Sequence, residues 1–228
     1  MTLKQKKIFG IGLSKTGTTS LTQALKLLHH KAVHFPFFHL KPQKDSLELN
    51  YHKIDKWDAM TDTPIPYFYK ELDRHYPGSK FILTIRNIDE WLDSCENNHI
   101  WPGEYVHDKA VSNFLYITQI LQLHHALYGS VWFDRKRFRH FYHKHIDDVL
   151  CYFSNRPADL LVYNIGNGDE WKPLCKLLGK QVPEIEFPRK NVGKHKLLKK
   201  ETRRQLWKAV SFMHLGHRVN KKYYPVQI

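Results

Sequence analysis

The stretch "KIFGIGLSKTGTTSLTQAL", residues 7–25, is the part of the sequence that most restricts the architecture. It begins with apolar residues typical of a buried strand, continues through Gly10, Gly12 and Gly17, and ends with the apolar spacing of a helix. A strand, a glycine-rich loop and a helix N-terminus together attract anions, because backbone N–H groups and the helix dipole favour negative charge. The stretch therefore predicts a loop that binds a phosphate group.

The position of the lysine argues against ATP and against NAD as the ligand of this loop. A nucleoside-triphosphate loop has a lysine directly after its second glycine, in the pattern G-x-x-x-x-G-K-[ST]. Gly12 and Gly17 have that separation, but Thr18 stands in the lysine's place and Lys15 lies inside the loop. Lys15 also replaces the third glycine of the dinucleotide pattern G-x-G-x-x-G. The structural alternative is a tight turn in which Thr18 only caps the helix.

Alternating strand and helix patterns predict the fold class. Apolar, β-rich runs at 8–12, 81–85 and 160–164, and a weaker one at 32–37, are typical of buried parallel strands. Helical patterns separate them, which favours an α/β, three-layer P-loop-like fold with a central, mostly parallel sheet flanked by helices. The predicted helices are Thr18–Leu28, Tyr67–His75, Asp89–Asn97, Tyr105–Tyr128 and Phe138–Phe153.

The composition bounds the class of protein. A length of 228 residues favours a single domain over residues 1–228. No apolar run suits a signal peptide or a membrane span, so we expect a cytoplasmic protein. The three cysteines are odd in number and far apart, which predicts that they form no disulfide framework.

Positive charge is concentrated near the end of the chain. The formal net charge is +14, and residues 189–222 hold twelve Lys or Arg and the single acid Glu201, which gives this stretch +11. Such a segment suits an anionic ligand, nucleic acid or an acidic surface, or it is a solvated helix face.

A second anion-binding pair follows the strand at 81–85. Arg86 stands at the carboxyl end of that strand, and Ser94 follows eight residues later, about two helical turns along. An arginine there suits capture of a second phosphate, with the serine hydroxyl adding a hydrogen bond. The alternative is a local salt bridge between Arg86 and Asp89.

Together these motifs resemble those of a known family. "GLSKTGTTSL" is similar to the 5′-phosphosulfate loop of PAPS-dependent sulfotransferases, and "ILTIRN" followed by Ser94 is similar to their 3′-phosphate motif. The segments "DAMTDTPIPYFYKELDRHYPGSKFILTIRNIDEW" and "LLVYNIGNGDEWKPLCKLLGKQVPEIEFPRKN" resemble the P-loop sulfotransferase-like branch of bacteria and lower eukaryotes. The resemblance covers roughly residues 7–191.

The resemblance implies a donor and its binding residues. The donor is 3′-phosphoadenosine 5′-phosphosulfate (PAPS), which leaves as 3′,5′-adenosine bisphosphate, and no metal is expected. Lys15 matches the lysine that contacts the 5′-phosphate and the bridging oxygen, while Arg86 and Ser94 match the pair that holds the 3′-phosphate. The other implied donor contacts are Thr16, Gly17, Thr18, Thr19 and Ser20 of the loop, Tyr163 near the adenine, and Arg189 and Lys190 over the 3′-phosphate. For Tyr163 a place in the core is the alternative, and Asn191 departs from the family's glycine.

Transfer to a hydroxyl also requires a base. Asp58 and Asp62 lie in a segment that borders the acceptor pocket in the resembled family, and Asp62 is the preferred candidate. Its alternative role is to cap the following helix, and His34 and His39 are the reserve candidates. The expected acceptor is a small molecule or a carbohydrate, either acidic or neutral, and no specific nucleic acid is expected. The alternatives are a P-loop nucleotide kinase or hydrolase, or a non-enzymatic basic module that binds acidic polymers.

Overall fold

The computed structural model describes residues 6–41, 46–97 and 114–189. In this part of the chain, five parallel strands form one sheet in the order β2-β3-β1-β4-β5. The strands are β1 (Ile8–Gly10), β2 (Ala32–His34), β3 (Ala59–Thr61), β4 (Lys80–Thr84) and β5 (Leu160–Tyr163). The helices are α1 (Thr18–Leu27), α2 (Tyr51–Ile54), α3 (Ile65–His75), α4 (Ile88–Glu96), α5 (Phe114–Tyr128), α6 (Arg135–Tyr152) and α7 (Trp171–Leu178).

Helices cover both faces of this sheet, because successive residues of a buried strand point to opposite sides. Ile8 and Ile82 pack against α1 and α7, whereas Phe9 and Phe81 pack against α3, α5 and α6. All four side chains are buried. The three-layer α/β architecture with a parallel sheet is thus confirmed.

The sheet order decides where a ligand can bind. β1 is the central strand, between β3 and β4, and its register pairs Ile8 with Ala59 on one side and with Lys80 on the other. The segments that follow β1, β3 and β4 therefore meet at one edge of the sheet. In open α/β sheets, ligands bind beyond the carboxyl ends of the strands, at this same edge.

The predicted elements agree with the structure except at three places. β3 was not predicted, because its residues "AMT" stand between Asp58 and Asp62 and belong to no longer apolar run. α2 and α7 were also missed. The predicted helix Tyr105–Tyr128 is described from Phe114 onward, and its first part lies outside the described residues.

Candidate functional site

The glycine-rich loop after β1 is fastened to the end of β4. A Cβ atom at Gly12 would lie 1.9 Å from Thr84 Oγ1 and 2.4 Å from the Thr84 carbonyl oxygen, so only glycine fits there. The Thr16 hydroxyl donates to the Leu13 carbonyl at 2.6 Å and lies 2.6 Å from Thr84 Oγ1. Thr16 therefore holds the loop in shape, and its predicted contact with the donor stays a prediction.

The middle of the loop has an unusual backbone. Lys15 has a φ of 72° and Gly17 a φ of 102°, both in the left-handed region, which is uncommon for a residue with a side chain. Strained backbone of this kind clusters at binding and catalytic sites. Gly17 is the N-cap of α1 and no side chain caps the helix, so the alternative in which Thr18 serves as the cap is not observed.

The hydroxyls of the loop converge on one carboxylate, Asp62, directly after β3. Ser14 Oγ donates to Asp62 Oδ1, and Thr18 Oγ1 donates to Asp62 Oδ2 at 2.5 Å. The Thr63 backbone N–H donates to Oδ1 at 2.6 Å, and His34 Nε2 lies 3.1 Å from Oδ2. The Asp62 side chain is only 5% exposed. Asp62 therefore joins the phosphate loop, the predicted phosphate-binding loop at residues 11–17, to His34 at the end of β2.

Asp62 stays ionised in this environment. Burial raises the pKa of its carboxyl, but the hydrogen bond and charge of His34, together with the Ser14 and Thr18 hydroxyls, outweigh burial and hold the pKa well below its ordinary value. The carboxylate does not cap α3, whose N-cap is Pro64 with no side-chain cap. Its backbone φ of 70° is again left-handed.

His34 is the second titratable group of this cluster. Its Nε2 lies 3.2 Å from Thr18 Oγ1 and 3.1 Å from Thr19 Oγ1, besides its contact with Asp62. The side chain is 33% exposed, so His34 is more open to solvent than Asp62. The residue that follows, Phe35, has a left-handed φ of 52°.

The two other predicted base candidates lie elsewhere. Asp58 precedes β3, at the opposite edge of the sheet from the loop, and accepts a hydrogen bond from the Lys31 N–H at 2.8 Å. His39 packs near Trp57, which also precedes β3, with ring centroids 6.2 Å apart. The structure thus brings Asp62 and His34 together with the phosphate loop.

Arg86 follows β4, the strand next to β1. Its Nε is 3.1 Å from Glu90 Oε2, and its side chain is 37% exposed, so the predicted alternative partner Asp89 is not the one observed. Asp89 pairs with Arg139 instead. Ser94 is half-buried on α4, which Asn87 caps by accepting hydrogen bonds from the first backbone N–H groups of that helix.

Two side chains that the sequence did not indicate hold this region together. Trp91 Nε1 donates to the Ser14 carbonyl at 2.9 Å, which fastens α4 to the phosphate loop. The Tyr142 hydroxyl of α6 contacts the backbone of Arg86. Burial raises the pKa of the Cys95 thiol in α4, whereas the charges of Lys15 and Arg86 lower it.

The remaining predicted donor contacts have different settings. Tyr163 is fully buried, and its hydroxyl donates to the Glu170 carbonyl at 2.7 Å, which favours the core alternative over a contact with adenine. Arg189 is exposed and pairs with Glu170 at 2.9 Å. Lys190 lies outside the described residues. Ser20 is buried in the first turn of α1.

Three further features of the described residues bear on the class of protein. They contain no group of three or more His, Cys, Asp or Glu that could hold a metal ion. No helix among residues 6–41, 46–97 and 114–189 is long and apolar enough to span a membrane. Cys95, Cys151 and Cys175 are all free, as predicted.

A five-stranded parallel sheet flanked by helices, with a glycine-rich loop after its central strand, defines a protein of the three-layer, P-loop-like α/β class. The family model of the sulfotransferase domain matches residues 7–196, and the chain belongs to this family. It is also 28% identical over 212 residues to the Ava biosynthesis cluster protein M of Aspergillus versicolor, an alignment covering 80% of this chain and 79% of that protein. Membership of the family supports a sulfotransferase activity.

Proposed function

We propose that the protein transfers a sulfuryl group from PAPS to a hydroxyl or amine of an acceptor, by in-line displacement. The observation that supports the proposal most is that Lys15 and Arg86 follow two neighbouring parallel strands, β1 and β4. The first turn of α1 lies between the end of β1 and His34. One cation then serves the 5′-phosphosulfate and the other serves the 3′-phosphate. A mononucleotide that lacks the 3′-phosphate would leave Arg86 without its ligand.

The unusual position of the lysine fits this donor. Transfer of a terminal phosphoryl group requires neutralisation of several charges and normally uses Mg²⁺. The sulfuryl ester carries one negative charge, so fewer cations are needed. Lys15, within the loop, can then stabilise the charge that grows on the bridging oxygen as the sulfur–oxygen bond breaks. The electron pair of that bond leaves with the 5′-phosphate.

We further propose that Asp62 and His34 act as a pair in removing the acceptor's proton. Asp62 already accepts hydrogen bonds from Ser14, Thr18 and the Thr63 N–H, and its depressed pKa makes it a weak base. It is well suited to orient His34, since its carboxylate accepts a hydrogen bond from Nε2 and leaves Nδ1 to take the proton. In this scheme His34, the reserve candidate of the sequence, accepts the proton and Asp62 positions it.

A glutamine at position 34 separates the two assignments. His34→Gln retains an amide that can donate to Asp62 but has no group that takes up a proton near neutral pH. We expect this variant to bind 3′,5′-adenosine bisphosphate as the wild type does and to lose turnover by about 10²-fold or more. Turnover within about threefold of the wild type would leave Asp62 itself as the base.

The activity itself is tested with PAPS and a panel of phenols, alcohols, amines and oligosaccharides. We expect release of 3′,5′-adenosine bisphosphate together with a sulfated product detected by mass spectrometry. His34→Gln is the control for bisphosphate release that does not depend on catalysis by this site.

A second candidate function is a nucleotide kinase or hydrolase. It is favoured by one contact, the hydrogen bond from Thr18 to Asp62, because P-loop enzymes hold Mg²⁺ between a loop hydroxyl and an aspartate. This candidate predicts transfer from ATP that requires Mg²⁺. Product formation from PAPS in the presence of EDTA, with none from ATP and Mg²⁺, would exclude it.

A further inference from the structure

The hydroxyl of Tyr142 makes two hydrogen bonds to the backbone of a single residue, Arg86. It accepts the Arg86 N–H at 2.8 Å and donates to the Arg86 carbonyl at 2.7 Å. Tyr142 lies on α6, 56 residues along the chain from Arg86. One side chain thus satisfies both polar groups of the backbone where β4 has ended and α4 has not yet begun.

The ring of Tyr142 is itself held in place. It is 3% exposed and packs against Trp91 with ring centroids 4.6 Å apart. Trp91 in turn donates to the Ser14 carbonyl of the phosphate loop. A buried tyrosine in a packed aromatic cluster has little freedom, so its hydroxyl is a fixed point for the backbone of Arg86.

The side chain of Arg86 is held much less firmly than its backbone. Its partner Glu90 is 61% exposed, and ion pairs between exposed side chains contribute little. A phosphate can therefore replace Glu90, and the direction from which the guanidinium reaches that phosphate is set by the backbone. The carboxylate of Glu90 does not fix that direction.

We infer that Tyr142 is a positioning residue for recognition of the 3′-phosphate. It fixes the backbone of Arg86 so that the guanidinium and the Ser94 hydroxyl can bind the same phosphate group. The inference rests on the proposed function, since it assigns the 3′-phosphate of the donor to Arg86. It predicts that loss of one buried hydroxyl on α6 changes selectivity between two nucleotides.

The test compares 3′,5′-adenosine bisphosphate with AMP by isothermal titration of four proteins. Besides the wild type, these are Arg86→Ala, Tyr142→Phe and the matched control Tyr152→Phe. Tyr152 is on the same helix, and its hydroxyl donates to Asp73 at 2.7 Å. Tyr142→Phe should weaken the bisphosphate about fivefold to tenfold and change AMP affinity by less than about twofold. Tyr152→Phe should leave the ratio of the two affinities unchanged.

The outcomes separate the inference from the proposed function. If the wild type does not prefer the bisphosphate over AMP, both are refuted. If Arg86→Ala abolishes the preference but Tyr142→Phe retains it, or if Tyr142→Phe weakens both ligands equally, only the role of Tyr142 is refuted.

A second measurement on the wild type does not depend on the folding of any variant. Hydrogen exchange of the Arg86 amide should slow more with the bisphosphate than with AMP, because the amide of a residue that holds the phosphate opens less often. Equal slowing by both ligands would overturn the inference.

Discussion

Replacement of Asp62 by asparagine tests the charge at the centre of the site. The substitution retains the shape of the side chain but places an NH₂ group where one carboxylate oxygen accepted hydrogen bonds. Thr18 and His34 both contact Oδ2, and hydrogen bonds to a charged group contribute about 1.5–3 kcal/mol. Since the side chain is 5% exposed, solvent screens these contacts little. We expect Asp62→Asn to lower the free energy of unfolding by about 2–3 kcal/mol at pH 7.

The pH dependence of this loss follows from the direction of the pKa shift. The folded-state pKa of Asp62 is depressed below its ordinary value of 3.8, so the carboxylate stabilises the folded state fully above that value. The contribution is lost progressively as pH falls below about 4, because protons bind the unfolded chain first. The difference between wild type and Asp62→Asn should therefore shrink as the pH falls below about 4.

Urea denaturation at a series of pH values measures this difference. Asp148→Asn is a suitable control, because that carboxylate is exposed and pairs only at the surface with Lys144, so its loss should cost less than about 1 kcal/mol. Asp62→Asn should also reduce turnover by about 10²-fold or more. A difference in unfolding free energy below about 0.5 kcal/mol at pH 7, or a difference that does not change with pH, would refute the role assigned to Asp62.

Three further changes probe the loop and the donor site. Lys15→Ala should retain bisphosphate affinity within about tenfold yet lose turnover, since the negative charge on the bridging oxygen is largest as the sulfur–oxygen bond breaks. Normal turnover would show that Lys15 is not catalytic. Gly12→Ala should abolish bisphosphate binding and lower the melting temperature, because its Cβ would collide with Thr84. The control Gly179→Ala has open space around it and should lower the free energy of unfolding by only about 1–2 kcal/mol, for its left-handed backbone. Binding by Gly12→Ala equal to that of the wild type would contradict this packing argument. Arg189→Ala should weaken the bisphosphate less than Arg86→Ala, because the Arg189 side chain is 51% exposed, against 37% for Arg86, so solvent screens its charge more. The reverse order in a titration would show that Arg189 is the main 3′-phosphate contact.

Local patterns in the sequence were enough to predict most of the fold and the glycine-rich loop of the site. The strand, loop and helix at residues 7–25 predicted the phosphate loop, because glycine spacing and helix periodicity are local properties. The end of β4 was predicted in the same way, and with it the position of Arg86. β3 was not predicted because its residues stand between Asp58 and Asp62 and belong to no longer apolar run, although Asp62 directly follows it.

The contacts between distant segments could not be predicted. Nothing in the local sequence indicates that Tyr142 reaches Arg86 or that Trp91 reaches Ser14, since these pairs depend on how α6 and α4 pack. The pairing of Asp62 with His34 depends on the adjacency of β2 and β3, which only the sheet order reveals. Tyr163 could not be decided from the sequence, because an aromatic residue at the end of a strand is as suitable for the core as for a ligand; its contact with adenine stays a prediction.

Binding of nucleotides to the wild-type chain in EDTA shows whether the protein recognises a 3′-phosphate without a metal ion. Titration of 3′,5′-adenosine bisphosphate, AMP and ATP under the same conditions isolates the 3′-phosphate as the recognised group. We expect the bisphosphate to bind at least about tenfold more tightly than AMP, since AMP lacks the charge-assisted contacts to Arg86. Equal affinity for the bisphosphate and AMP, or tight binding of ATP that appears only when Mg²⁺ replaces EDTA, would contradict recognition of the 3′-phosphate of PAPS.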